Sequence, residues 1–126
     1  MSFITTADIQ KGMFISFRGE ICQINDFQFV SPGKGSAFVR TKLKNIKSGS
    51  LSEFTYKSGE KIEQLDVYTK EMQYLYKSNN DFYFMDSESF DQITIAQGII
   101  GEFSNYLKAG ENYLIFVYQD HGIGIK

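Results

Sequence analysis

One lysine occupies the centre of an unusual segment, residues 30–38, which reads VSPGKGSAF. Pro32 is the only proline in the sequence, and Gly33 and Gly35 flank Lys34. Proline restricts the backbone, whereas glycine removes side-chain bulk and permits conformations that other residues rarely adopt. The segment is therefore a phosphate-binding loop, an ordinary hairpin tip, or a narrow finger that presents a single cation.

The order of the residues disfavours nucleotide binding. A P-loop has a serine or threonine directly after its lysine, but here Gly35 follows Lys34. The segment also leads into the strand-like sequence AFVRTKL, whereas a phosphate loop precedes a helix whose N-terminus binds the anion. A phosphate-binding loop, and with it a nucleotide hydrolase, is therefore the weakest of the three interpretations of this segment.

A run of basic residues is the strongest electrostatic feature of the chain. Between Phe27 and Ser52 there is no Asp or Glu. The basic residues of this window are Lys34, Arg40, Lys42, Lys44 and Lys47. In a strand, Arg40, Lys42 and Lys44 share one face at a spacing of roughly 6.5–7 Å, which suits contact with a sugar-phosphate backbone. A solvated face that protects the strand from aggregation is the alternative, and we predict nucleic-acid contact.

Residues that catalyse reactions or bind metals are sparse. His121 is the only histidine and Cys22 the only cysteine, so zinc-type ligand spacing is absent from the sequence. We expect His121 in a surface turn and Cys22 as a small buried thiol. The acidic residues Asp86, Glu88 and Asp91 are expected to form a solvated turn, because nothing nearby would raise the pKa of one carboxyl. We predict no catalytic residue, no metal and no cofactor.

Length and composition narrow the class of protein. The 126 residues, 42% of them apolar, suit one domain or two small ones. No apolar run approaches the roughly 20 residues of a membrane-spanning helix, and the N-terminus lacks the pattern of a secretory signal. A single cysteine suits a reducing cytosol. We therefore expect a cytoplasmic protein with no membrane partner.

The charge balance changes near Gln64. Residues 1–64 carry a net charge of +3, and residues 65–126 carry −5. The first part reads as four or five short strands separated by glycine turns, with a tight hairpin predicted at Arg18-Gly19-Glu20, which is typical of a small curved β-barrel. In the second part, strands flank one stretch of helical spacing that ends at Gly110; it comprises Ile95, Ile99, Ile100, Phe103 and Leu107. Strands with one late helix favour a five-stranded oligonucleotide-binding (OB) type of barrel.

Tyrosines on the first predicted strand of the second part offer another form of nucleic-acid contact. In DVYTKEMQYLY, alternation places Tyr68, Tyr74 and Tyr76 on one face. Tyrosine rings can stack on bases, but packing in a core is the more common role of such residues and is favoured here.

Several motifs resemble those of the bacterial translation elongation factor P family. The segment FVSPGKGSAFVRTKLKN is similar to the first-domain loop and following strand of that family. The similarity continues through SGEKIE, EMQYLYKSNNDFYFMDSESFDQI and YLIFVYQDHGIGIK, so it covers practically the whole chain. The resemblance implies a mainly β protein: an SH3-like, KOW-type domain over residues 1–64, then an OB-type barrel with one short helix over residues 65–126.

The resemblance also implies a function in protein biosynthesis. Members of the family bind the ribosome between the peptidyl and exit sites, contact peptidyl-tRNA and rRNA, and relieve stalling at consecutive prolines. Carried over to this chain, Lys34 is the loop-tip lysine that reaches the CCA end of peptidyl-tRNA. The other implied residues are Pro32, Gly33 and Gly35, which shape the loop, and Arg40, Lys42 and Lys44, which hold RNA phosphates. The lysine is extended by a β-lysyl group in many bacteria and by aminopentanol in other lineages, so the resemblance leaves two alternatives for Lys34: a bare side chain, or one lengthened by such a group through a modifying enzyme.

The chain departs from the family in length. Members continue into a third domain after the equivalent of GIGIK, whereas this chain stops at Lys126. We therefore expect a truncated form, a proteolytic fragment or a partial gene product. We also expect a monomer. The alternative function is a general RNA-binding or ribosomal β-barrel module in which Lys34 is merely one phosphate contact.

Overall fold

Within residues 2–126, which the computed structural model describes, eleven β-strands form two separate antiparallel sheets. The chain divides into two units between Leu65 and Asp66. The prediction of a mainly β protein with one short helix is confirmed.

The first unit contains a six-stranded sheet. Its strands are β1 (Ser2–Thr5), β2 (Phe14–Phe17), β3 (Glu20–Val30), β4 (Phe38–Asn45), β5 (Leu51–Lys57) and β6 (Lys61–Gln64), with a 3-10 helix at Thr6–Asp8. Their order across the sheet is β1-β6-β2-β3-β4-β5. The strand β1 was not predicted; it pairs with β6, a partner about 60 residues away along the chain.

Alternating side chains explain how β4 lies in the first unit. Val39, Thr41 and Leu43 face inward and are at most 1% exposed. They join a core that also contains Ile9, Ile15, Cys22, Ile24, Tyr56 and Ile62. Cys22 is buried, as predicted, and this burial together with the charge of Glu20 raises the pKa of its thiol. A buried thiol with a raised pKa is a packing residue and a poor nucleophile.

The predicted hairpin between β2 and β3 is confirmed. Its two turn residues are Arg18, with a φ of 53°, and Gly19, with a φ of 80°. Two successive positive φ values are typical of the turns that match the twist of antiparallel strands. The Arg18 guanidinium packs over the Phe17 ring, 4.9 Å from its centroid.

The second unit contains a five-stranded sheet and the helical segment. Its elements are β7 (Tyr68–Ser78), β8 (Asp81–Asp86), β9 (Gln92–Ala96), α1 (Gln97–Ile100), a 3-10 helix (Gly101–Tyr106), β10 (Asn112–Tyr118) and β11 (His121–Ile125). The strand order is β11-β10-β7-β8-β9. The core comprises Met72, Tyr74, Phe82, Phe84, Ile95, Ile100, Ile115 and Val117.

The helical segment is shorter than its apolar spacing predicts. Ile95 lies in β9, and α1 ends before Gly101, not at Gly110. Gly101 has a φ of 62°, a conformation that favours glycine, and the chain then continues as a 3-10 helix. Glycine has low helix propensity, so Gly98 and Gly101 explain why a longer α-helix does not form. No helix within residues 2–126 has the length and apolar character that would allow it to cross a membrane.

The two edge strands of the second sheet meet through a glycine. A β-carbon on Gly122 of β11 would lie 2.6 Å from Cγ1 of Ile95 on β9. The Ile95 side chain therefore packs directly against the backbone of β11, where any side chain would collide with it. This contact brings the first and last strands of the sheet order together, as expected for a barrel.

A candidate nucleic-acid interface around Lys34

The connection between β3 and β4 carries Lys34 at its centre. Residues 31–36 are all exposed. Among residues 2–126, no hydrogen bond or ion pair involves the ammonium group of Lys34. The folded chain thus presents this cation to solvent and leaves its three N–H donors available to an external acceptor.

The base of this loop is held on both sides. The last pair of the β3–β4 ladder is Val30 with Phe38, and Phe38 also pairs with Lys57 on β5. Just beyond, the Ser58 N–H donates a hydrogen bond of 3.1 Å to the carbonyl oxygen of Ala37. The exposed loop therefore starts from a backbone that neighbouring strands fix in place.

The two loop glycines differ in what the fold requires of them. Gly35 has a φ of 94°, which disfavours any residue with a β-carbon. Gly33 is outside the positive-φ region. A β-carbon on Gly33 would meet no atom within 4 Å. Gly35 is thus explained by the backbone, whereas neither the backbone nor internal packing explains Gly33.

The basic residues of β4 lie on the exposed face, as the alternation predicts. Arg40, Lys42 and Lys44 are all exposed. The Arg40 guanidinium carbon lies 5.5 Å from the centroid of the Phe38 ring on the same face, within the range of a cation–π contact. Lys47, the fifth basic residue of the window, lies in the turn after β4 and is not part of this row.

Strand pairing places two carboxylates beside the basic residues of β4. Neither carboxylate was expected there from the sequence. Lys42 is opposite Asp26 on β3 and opposite Glu53 on β5. These residues are the first acidic ones beyond the window from Phe27 to Ser52. A count along the chain therefore finds no acid near the row, whereas the register of the two hairpins places one on each side. The register of the two hairpins, counted back from their turns, is the signal in the sequence that indicates both carboxylates.

Asp26 is also bound by groups of its own strand and of the β1–β2 connection. Its Oδ1 accepts the backbone N–H of Phe27 at 2.9 Å and lies 3.5 Å from Nζ of Lys11. The pKa of Asp26 is lowered, mainly by the hydrogen bond from the Phe27 N–H. The charges of Lys11 and Lys42 lower it further. The carboxylate is therefore firmly charged at neutral pH.

The three tyrosines for which core packing was favoured over base stacking occupy different environments. Tyr74 is in the core, 8% exposed, whereas Tyr68 and Tyr76 are about half exposed. An irregularity in the β7–β8 pairing between Tyr74 and Tyr76 separates the two. Tyr76 stacks on Tyr83 across the strands, with ring centroids 4.6 Å apart and an interplanar angle of 16°. The prediction that all three share a face is therefore wrong.

The acidic residues near position 86 form no catalytic pair. Glu88 and Asp91 are exposed, as predicted, but the expectation of solvation is wrong for Asp86, which is 4% exposed. Asp86 forms an ion pair with Lys70 and accepts the backbone N–H of Glu88 at 2.9 Å. The Lys70 ammonium is the main cause that lowers the pKa of Asp86 to about 2. This carboxylate is thus a structural anion, unsuited to donate or accept protons near neutral pH.

Metal binding and histidine chemistry gain no structural support. No group of three or more His, Cys, Asp or Glu side chains in the described part of the chain is placed to hold a metal ion. His121 is exposed and begins β11, so the turn that was expected to contain it comprises Gln119 and Asp120 instead. Both turn residues have positive φ values, of 50° and 62°.

Two family models match nearly the whole chain. The elongation factor P KOW-like domain matches residues 5–62, and the elongation factor P OB domain matches residues 67–125. The predicted succession of a KOW-type domain and an OB-type domain is therefore confirmed.

Curated relatives agree with these matches. Elongation factor P of Pelotomaculum thermopropionicum is 41% identical over 123 residues, and that of Maridesulfovibrio salexigens is 43% identical over 123 residues. In both cases the aligned region covers 98% of this chain and 66% of the relative. The chain thus spans about two thirds of the length of the curated relatives it matches.

Solved structures share the fold at much lower identity. The protein titled eukaryotic translation initiation factor 5A from Methanococcus jannaschii has a TM-score of 0.73 at 20% identity, covering 99% of this chain and 92% of its own. A translation initiation factor eif-5a family protein from Naegleria fowleri has a TM-score of 0.73 at 16% identity, covering 99% and 95%. At these identities the likeness concerns the fold alone.

Proposed function

The chain belongs to the elongation factor P family, and from that premise we propose that it is a translation elongation factor in which Lys34 positions peptidyl-tRNA on the ribosome. In this proposal the protein binds between the peptidyl and exit sites and relieves stalling at consecutive prolines. Residues 1–64 form the domain that carries the loop, and residues 65–126 form the OB-type domain. The exposure of Lys34 at the centre of a loop with a fixed base is the observation that carries the proposal.

The mechanism is one of positioning. Proline reacts poorly in peptide transfer, both as acceptor and as donor, so ordering the tRNA end reduces the entropy that the reaction must lose. The Lys34 ammonium supplies a charge for the RNA backbone, and the paired strands below the loop limit its motion. The ribosome carries out the chemistry, so the chain needs no catalytic residue of its own.

The loop geometry supports entry of the tip into a confined space. Gly33 has no positive φ, and a β-carbon there would meet no atom of the chain, so the molecule itself does not require a glycine at this position. A requirement imposed by a surrounding RNA surface accounts for its small size. Pro32, which is exposed, stiffens the same side of the loop.

Covalent extension of Lys34 is part of the proposal. Because the side chain is exposed and has no partner within residues 2–126, an enzyme can reach its amine without unfolding the loop. A β-lysyl or aminopentanol group would lengthen the reach of the cation. Intact and peptide mass measurements on protein isolated from its native cells test this directly; an unmodified Lys34 would contradict it.

A reconstituted translation assay tests the function. Lys34→Ala and Arg40→Ala are compared on reporters with and without consecutive prolines, in the 126-residue chain and in a version extended by the remaining third of a curated relative. We expect Lys34→Ala to abolish relief of the proline-dependent pause while circular dichroism shows an intact fold. Full relief by the Lys34→Ala variant would overturn the proposal.

A general RNA-binding module is the second candidate, because the exposed row on β4 provides basic side chains without any specialised lysine. That function predicts equal, modest effects of Lys34→Ala and Arg40→Ala on RNA binding and no selective effect on proline-rich products. The same set of variants therefore separates the two functions.

A further inference from the structure

Three rows that each contain one basic residue of β4 run across β3, β4 and β5 on the exposed face. The strand pairing defines the rows as Gln28–Arg40–Thr55, Asp26–Lys42–Glu53 and Gln23–Lys44–Leu51. Side chains directly opposite each other in such pairs have β-carbons roughly 4.5–5.5 Å apart. Each basic residue is thus accompanied by a different pair of close neighbours.

Only the middle row contains carboxylates. Asp26 and Glu53 flank Lys42, and Lys11 contacts Asp26 from the far side at 3.5 Å. The four charges of this row therefore sum to zero. By contrast, the residues directly opposite Arg40 and Lys44 are uncharged, so each of those rows keeps a net charge of +1.

The difference determines where a phosphate can bind. A phosphate that approaches Lys42 also approaches two carboxylates, and like charges placed side by side oppose binding. Directly beside Arg40, a phosphate meets the amide of Gln28, the hydroxyl of Thr55 and a guanidinium that lies over the Phe38 ring. Arginine can also form two parallel hydrogen bonds to one phosphate, which adds to the preference.

A shallow depression lies on the same face. Its lining includes Asp26 and Glu53 together with Arg40 and Lys42. The carboxylates are thus not turned away from the row; they share the surface that an RNA backbone would approach.

We infer that Asp26 and Glu53 suppress phosphate contact at Lys42, so that β4 contacts RNA at Arg40 and Lys44, two positions roughly 13–14 Å apart. The inference rests on the proposed RNA contact of this strand and revises it, since Lys42 becomes a silent position. Asp26 and Glu53 act as specificity residues that disfavour RNA laid evenly along the whole strand.

Substitutions of the basic residues in three backgrounds test this inference. The probe is an RNA minihelix with a single-stranded 3′-CCA end, titrated by fluorescence anisotropy at several salt concentrations. Arg40→Ala, Lys42→Ala and Lys44→Ala are each made in the native chain and in the Asp26→Asn, Glu53→Gln double variant. The control background is Glu71→Gln, Glu111→Gln, which removes two exposed carboxylates from the second unit and gives the same change in net charge.

In the native chain, Arg40→Ala should weaken binding about five- to tenfold, as expected for the loss of one hydrogen-bonded contact. It should also reduce the salt slope by about 0.7–0.9, the value for one phosphate contact. Lys42→Ala should change affinity less than about twofold. In the Asp26→Asn, Glu53→Gln background, Lys42→Ala should gain the full five- to tenfold effect expected for one contact. In the control background it should remain silent. Circular dichroism and thermal unfolding verify the fold of each variant.

Two results would overturn the inference while leaving RNA contact intact: Lys42→Ala as costly as Arg40→Ala in the native chain, or silent even without the two carboxylates. If Arg40→Ala and Lys44→Ala are also without effect in every background, the proposed RNA contact of β4 is wrong, and the inference is wrong with it. The effect of Arg40→Ala distinguishes these cases.

Discussion

Lys70 of β7 and Asp86 of β8 form an ion pair in which the carboxylate is the buried partner. The Asp86 side chain is 6% exposed and that of Lys70 is 41% exposed. The carboxylate also accepts a hydrogen bond, because the backbone N–H of Glu88 donates to its Oδ1 at 2.9 Å. The pair thus joins two strands of the second sheet to the turn that follows β8.

We expect Asp86→Asn to lower the thermal stability of the second unit at neutral pH and to flatten its response to acid. Pairing lowers the pKa of Asp86 to about 2, below its ordinary value, so the folded form keeps the charge where the unfolded chain is protonated. Its contribution is therefore complete above about pH 4 and is lost as the pH falls towards 2. Thermal unfolding followed between pH 7 and pH 2 measures this.

The control for Asp86 is Glu88→Gln, which removes an exposed carboxylate two residues away. It should leave the acid response close to that of the native chain. An equal loss of acid dependence in both variants would show that the ion pair with Lys70 is not its source.

The two loop glycines should respond differently to alanine. Gly35→Ala places a β-carbon at a φ of 94° and should cost about 1–2 kcal/mol. Gly33→Ala should stay within about 0.5 kcal/mol of the native stability, because its surroundings are open and its backbone is ordinary. Urea denaturation of the two variants gives both values. A cost at Gly33 that matches the one at Gly35 would contradict the structure.

Gly122→Ala should destabilise the second unit. The new methyl group would lie 2.6 Å from Cγ1 of Ile95, and overpacking of a core typically costs about 1–3 kcal/mol. Gly98→Ala is the matched comparison: it has open surroundings in α1 and should stabilise by about 0.5–1 kcal/mol. Chemical denaturation that ranks the two variants in the opposite order would contradict the close contact between β9 and β11.

Substitution of Tyr74 by alanine should lower the free energy of unfolding much more than substitution of Tyr76. Truncation of the buried Tyr74 to alanine should cost about 3–5 kcal/mol, as for other large aromatic core residues. Tyr76→Ala removes an exposed ring and its stacking on Tyr83, for which about 0.5–1.5 kcal/mol is expected. Equilibrium unfolding monitored by far-ultraviolet circular dichroism compares them. Similar losses would mean that Tyr76 is packed as firmly as Tyr74.

Local patterns were sufficient to predict the elements around Lys34. The alternation of Val39, Arg40, Thr41 and Lys42 is strict, so both the strand and its exposed face could be predicted from adjacent residues. The hairpin at Gly19 followed from similarly local turn chemistry. In each case the physical information lies within a few residues of the feature.

Features that depend on partners far along the chain could not be predicted in this way. β1 is a strand because β6 lies beside it, and Lys42 has carboxylate neighbours because two hairpins have a particular register. The helix was predicted too long because apolar spacing does not record that Ile95 is needed in β9 or that Gly101 requires a positive φ. Likewise, burial of Asp86 follows from its pairing with Lys70, which no local pattern reveals.

The fixed base of the loop at Val30, Ala37 and Phe38 has a consequence for variation of the protein. Because the hydrogen bonds of the strands end there and residues 31–36 are all exposed, changes in the loop need not disturb the packing of the sheet. A different tip, with another side chain or length, can be exchanged onto the same two strands while the barrel beneath keeps its packing. The residue at position 34 can therefore change more readily than the residues that build the fold beneath it.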